Sequence, residues 1–125
     1  MGIAVACQTF SSLADLPQYL YPGDAAVGLA ARQSLVLDPG RRALVSTGLA
    51  MRIPHGYAGL VLPVPHLAID YGVTVLGAPG LVSRGEVMVG LINHGSESFT
   101  VLPELCIAQL MIVPVERGRF YVGEI

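Results

Sequence analysis

The chain has 125 residues, 53% of them hydrophobic and 13% charged, with a formal charge of −2. A chain of this size buries roughly two-thirds of the surface it exposes when unfolded, and the composition excludes intrinsic disorder. The seven basic residues, all Arg, are dispersed among nine acids, which excludes a basic footprint for nucleic acid.

Short runs rich in Val, Ile, Leu and Tyr recur along the chain: Ile3–Cys7, Ser34–Leu37, Ala43–Ile53, Tyr57–Leu62, Val73–Leu76, Val87–Asn93, Ser98–Leu102, Ile107–Val115 and Phe120–Val122. Between them stand turn formers such as Asp38-Pro39-Gly40, Pro54-His55-Gly56 and Asn93-His94-Gly95-Ser96, where preset or positive φ reverses the chain. Runs of this length and spacing predict an all-β sandwich or barrel, read as one domain over residues 1–125. Glu86–Ile92 alternates, but both faces are largely apolar, which predicts strands covered on two sides. The one helix expected is His66–Tyr71, started by Pro65 and ended by Gly72.

The most apolar stretch, Ile53–Ile69, is broken by Pro54, Pro63 and Pro65, against a membrane span. Met1–Phe10 lacks the basic start of a secretory signal. Cys7 and Cys106 are too few for a disulfide framework, so they are read as buried thiols of a cytoplasmic protein. So few charges leave apolar surface exposed, and such surface marks association. A homo-oligomer is expected.

Motifs for chemistry are sparse. Cys7, His55, His66, His94 and Cys106 show no paired zinc spacing, so no metal site is expected. His66 and Asp70, four apart, read as a surface helix pair. Neither a nucleophile elbow nor a phosphate-binding glycine loop is present.

The order of segments is more informative. Leu16–Leu29, with Pro22-Gly23-Asp24-Ala25-Ala26-Val27-Gly28-Leu29, is followed by Leu37-Asp38-Pro39-Gly40 and Leu44-Val45-Ser46-Thr47-Gly48-Leu49-Ala50. Pro63–Ala68, Tyr71–Glu86, and Ile107-Ala108-Gln109-Leu110 with Val113-Pro114-Val115 come next. This succession resembles the trimeric dUTPase family over nearly the whole chain, with these segments as its first four motifs and the hairpin after the first. The resemblance implies a β jelly roll that trimerises, with each active site built from motifs of neighbouring subunits. It also implies cleavage of dUTP to dUMP and pyrophosphate with magnesium and an aspartate-activated water.

The motif residues themselves depart from that pattern. Gly28 replaces the first motif's second acid, and Val64-Pro65-His66 stands where Arg-Ser-Gly is expected. Only Leu81, Val82 and Ser83 separate Gly80 from Arg84-Gly85-Glu86, leaving no place for the catalytic Asp or the sugar-stacking Tyr. Glu104-Leu105-Cys106 replaces Gly-Asp/Glu-Arg, while Gln109 survives. The fifth, glycine-rich motif is expected to be missing, since the chain as given ends at Ile125.

Losing a general base removes on the order of 10²–10⁴ in rate, and the phosphate clamp is lost with it. The sequence therefore predicts a catalytically silent dUTPase-fold homotrimer acting as an interaction or assembly module, with no catalytic residue and no cofactor. Its partner would be another protein, met through an apolar face formed by Val64, His66, Leu67, Ile69, Asp70 and Leu105. Arg84, Gly85, Gln109 and Tyr71 are read as vestiges of a substrate site. Three alternatives are a nucleotide-binding protein without hydrolysis, an engineered trimer, and an active diphosphatase using magnesium with Asp24, Asp70 or Glu86 as base.

Overall fold

The computed structural model describes residues 2–10 and 16–125. Ten antiparallel strands are formed: β1 (Ala6–Thr9), β2 (Val27–Ala30), β3 (Leu35–Leu37), β4 (Arg42–Arg52), β5 (Tyr57–Leu62), β6 (Val73–Val75), β7 (Gly80–Val82), β8 (Arg84–Asn93), β9 (Phe99–Val101) and β10 (Cys106–Pro114). They make two four-stranded sheets, in the orders β1-β4-β8-β6 and β2-β10-β5-β7, and a β3-β9 ribbon. The all-β jelly-roll expectation holds.

Alternation explains the packing. In β8, Val87, Val89, Leu91 and Asn93 are buried while Met88, Gly90 and Ile92 are only half-buried, as a strand that points successive side chains to opposite faces requires. These inward residues meet Leu29, Leu110, Ile107 and Val61 of the other sheet in one core cluster. Burying each Leu or Val is worth about 1.5–3 kcal/mol.

Asn93 is the polar exception at the end of β8. It is fully buried, and its Nδ2 donates to the carbonyls of Leu37 and Glu97, both at 2.8 Å, while its Oδ1 accepts from the Gly95 N–H at 2.8 Å. A buried amide must have its partners, and here they tie the end of β3 and the β8–β9 turn to one strand end.

Several expected elements are redrawn. Pairing with Leu49–Arg52 places β1 at Ala6–Thr9, later than Ile3–Cys7. Val27–Ala30 and Gly80–Val82 form strands although glycine weakens their patterns. Phe120–Val122 is exposed and forms no strand. The helix is a single wide turn, Leu67–Tyr71, ended by Gly72 at φ 74°, whose N–H donates to the Ala68 and Leu67 carbonyls. Among the described residues no helix is long and apolar enough to cross a membrane.

Candidate functional site

Strand register brings the first, second and fourth motif segments together. Gly28 on β2 stands opposite Gln109 on β10, and Gln109 stands opposite Leu62 at the end of β5, just before Pro63. Ala108 and Leu110 are buried while Gln109 is half-buried, so the Gln109 amide lies on the outer face of the sheet. Cys106 begins β10, is exposed, and donates its thiol to the Ala108 carbonyl at 3.4 Å.

The second motif corrects an expectation. Val64 and Leu67, expected on a partner-binding face, are buried in the chain's own core. The cause is the helical turn, whose first backbone bond runs from the Ala68 N–H to the Val64 carbonyl at 3.2 Å and folds both side chains inward. Leu105 is half-buried and packs against the same core. His66 and Asp70 are exposed, and Ile69 is 82% exposed.

The third motif forms a separate pocket. Strand β7 pairs with Gly59–Val61 of β5, and Ser83 alone separates it from β8. A cavity of about 230 Å³ lies here, lined among others by Leu76, Gly80, Ser83, Arg84, Glu86 and Gly90. Gly85, between Arg84 and Glu86, has φ 113°, a conformation that favours glycine. Arg84 and Glu86, two apart on one strand, are both exposed.

The remaining candidates lie elsewhere. Tyr71 packs on Phe99, with ring centroids 5.3 Å apart, and lines a different cavity together with Asp70, Glu97 and Ser98. Asp24 accepts a hydrogen bond from the Tyr21 N–H at 3.0 Å and so serves its own turn. Of Asp24, Asp70 and Glu86, only Glu86 lines the β6–β8 cavity.

One residue went unnoticed in the sequence. The Nε and Nη1 atoms of Arg32, just after β2, are buried without a hydrogen-bond partner among the described residues, and Arg32 lines a cavity of about 550 Å³ with Gly28, Thr47 and Cys106. Its signal was an arginine directly after the apolar run Leu29-Ala30-Ala31.

Among the described residues no three His, Cys, Asp or Glu side chains are grouped to hold a metal. Magnesium keeps much of its water and commonly binds through substrate phosphates with one or two carboxylates, so an ion would arrive with a nucleotide. Burial pushes the Cys7 thiol pKa up.

The sequence pattern of the dUTPase family matches residues 13–122. Proteins named deoxyuridine 5'-triphosphate nucleotidohydrolase are similar over most of the chain. That of Chlamydia pneumoniae is 40% identical over 98% of this chain and 87% of its own length. Those of Syntrophotalea carbinolica (42%, over 93% and 82%) and Rhizobium leguminosarum bv. trifolii (46%, over 84% and 72%) are comparable. Among solved structures, the dUTPase from phage phi11 of S. aureus superposes with a TM-score of 0.89 at 18% identity, covering 98% of this chain and 97% of that one. A mutant of that phage protein is described with a structural Mg(II) ion.

These relatives overturn the expectation of a catalytically silent interaction or assembly module. Similarity at 40–46% to proteins named as nucleotidohydrolases makes the enzymatic reading the favoured one, despite the substitutions at residues 28, 64 and 106.

Proposed function

Because the chain belongs to the dUTPase family, we propose that it is a dUTP nucleotidohydrolase, in which water attacks the α-phosphorus of dUTP and pyrophosphate leaves to give dUMP. The observation that carries this reading is the β6–β8 cavity, which sets Arg84 and Glu86 beside a slot of about 230 Å³. In this reading Glu86 takes the proton of the attacking water, and Arg84 and Gln109 contact phosphate oxygens. Magnesium bound with the nucleotide would supply neutralisation of phosphate charge.

The two halves of the site serve one nucleotide across a homotrimer. An apolar outer sheet face, with Leu60, Leu62 and Met111 half-buried and Leu81 77% exposed, supports self-association. One core shared by both sheets supports a single domain over residues 1–125. The free thiols Cys7 and Cys106 support a reducing, cytoplasmic setting. With Val64 in place of a guanidinium, turnover is slow, since each missing electrostatic contact costs on the order of 10²–10³ in rate.

The test is pyrophosphate release from dUTP with magnesium, at enzyme in excess of substrate, on protein sized by light scattering. A trimer that produces dUMP and pyrophosphate in equal amounts is expected. A trimer that binds dUTP and releases no pyrophosphate above the buffer rate overturns the proposal.

A further inference from the structure

We propose that Arg32 forms a phosphate-binding site of this chain, taking the pyrophosphate portion of the nucleotide in the cavity it shares with Gly28, Thr47 and Cys106; this rests on the nucleotide reading above. Burying a guanidinium is costly unless its N–H groups are paired. The Nε and Nη1 atoms of Arg32 are buried and bond to nothing among the described residues, and no acid is among the described residues lining the cavity.

The cavity suits an oxyanion with several acceptors. At about 550 Å³ it is open enough for a pyrophosphate group, and its lining includes the Gln18 amide as a second donor. The Thr47 hydroxyl cannot donate into it, because its proton goes to the Val87 carbonyl at 2.6 Å. Gly28, which also lines the cavity, adds no side chain to it and stands opposite Gln109. Arginine is a common phosphate ligand, and two of the three guanidinium nitrogens here, Nε and Nη1, have no partner among the described residues.

Arg32 is held by its backbone. Its N–H donates to the Ser46 carbonyl at 2.9 Å, and the neighbouring Gln33 side-chain oxygen accepts from the Ser46 N–H at 2.8 Å. These bonds fix the Arg32 backbone against the bulged part of β4.

The experiment is calorimetric titration with sodium pyrophosphate and with dUMP, on the wild type, Arg32→Met and Arg32→Lys, alongside thermal melting in phosphate-free buffer. Arg32→Met is expected to weaken pyrophosphate binding by about ten- to a hundredfold, Arg32→Lys less, and dUMP binding not at all. Without anion, Arg32→Met melts at or above the wild-type temperature, since it removes an unpaired buried charge. Pyrophosphate raises the melting temperature of the wild type but not of Arg32→Met.

Unchanged pyrophosphate affinity in Arg32→Met overturns the proposal. So does dissociation of the oligomer in that variant with anion binding intact, which assigns Arg32 to a carboxylate of a neighbouring copy. Arg32-dependent pyrophosphate binding without dUTP turnover leaves this site standing while the hydrolase reading fails.

Discussion

The Cys106 sulfur lies 3.0 Å from the point where a Cβ on Gly28 would stand. Positions 28 and 106, on neighbouring strands β2 and β10, therefore share one space. The substitutions of the first-motif acid by glycine and of the fourth-motif arginine by cysteine are structurally one change. In a strand, alanine is favoured over glycine by about 0.5–1 kcal/mol. Gly28→Ala should show that gain in a Cys106→Ala background and lose it, or reverse it, beside the native thiol. Melting curves of the four proteins give the coupling, and additivity within about 0.3 kcal/mol would show that the residues do not share space.

Glu86 is expected to limit turnover. Glu86→Gln keeps the shape of the β6–β8 cavity and removes the proton acceptor, so pyrophosphate release should fall by about 10²–10⁴ with dUTP binding retained. Wild-type rates in this variant would assign the base elsewhere.

Glu104 has φ 74°, the one positive-φ residue other than glycine among the described residues. It follows Pro103 in a turn closed by the Leu105 N–H donating to the Leu102 carbonyl at 3.2 Å, and glycine suits this position of a type II turn. Glu104→Gly should stabilise the fold by about 1 kcal/mol, read as a higher melting temperature.

Asn93→Ala removes three hydrogen bonds at once and leaves the Leu37 carbonyl and Gly95 N–H without their partner. A loss of about 3 kcal/mol is expected. A melting temperature within a degree or two of the wild type would mean that water replaces the amide.

Cys7 provides a pH-dependent readout. Burial raises its pKa, so the thiolate that reacts with iodoacetamide forms only above the ordinary thiol range. In a Cys106→Ser protein, alkylation should be slow at neutral pH and still be accelerating where a free thiol has levelled off. The linked stability has the matching sign: a raised folded-state pKa favours the fold below the unfolded pKa and loses that contribution as pH rises through the folded one. Alkylation at the free-thiol rate would place Cys7 in water.

Much of the fold was legible because apolar runs and turn residues agree. Val87–Asn93 and Tyr57–Leu62 carry period-two burial that any sandwich must use. Val27–Ala30 was legible only as a motif, because Gly28 removes an alternating side chain. The register that sets Gly28 against Gln109 is a long-range pairing that no local pattern encodes. Val64 and Leu67 looked like contact residues because an apolar residue in a short helix reads alike whether it faces a partner or its own core. Arg32 was invisible for another reason: its charge is ordinary in sequence and becomes informative only when its nitrogens are found without partners.

Strand β7 belongs to the sheet with β5, β8 belongs to the sheet with β4, and only Ser83 lies between them. The Ser83 carbonyl is held as well, accepting from the Ile53 N–H at 2.8 Å. The two sheets are thus stitched at this corner by a single residue with no slack. If the nucleotide sits beside Arg84 and Glu86 as proposed, it meets a jaw held at this corner, and whatever gives way to admit substrate or let product go lies at another edge of the cavity.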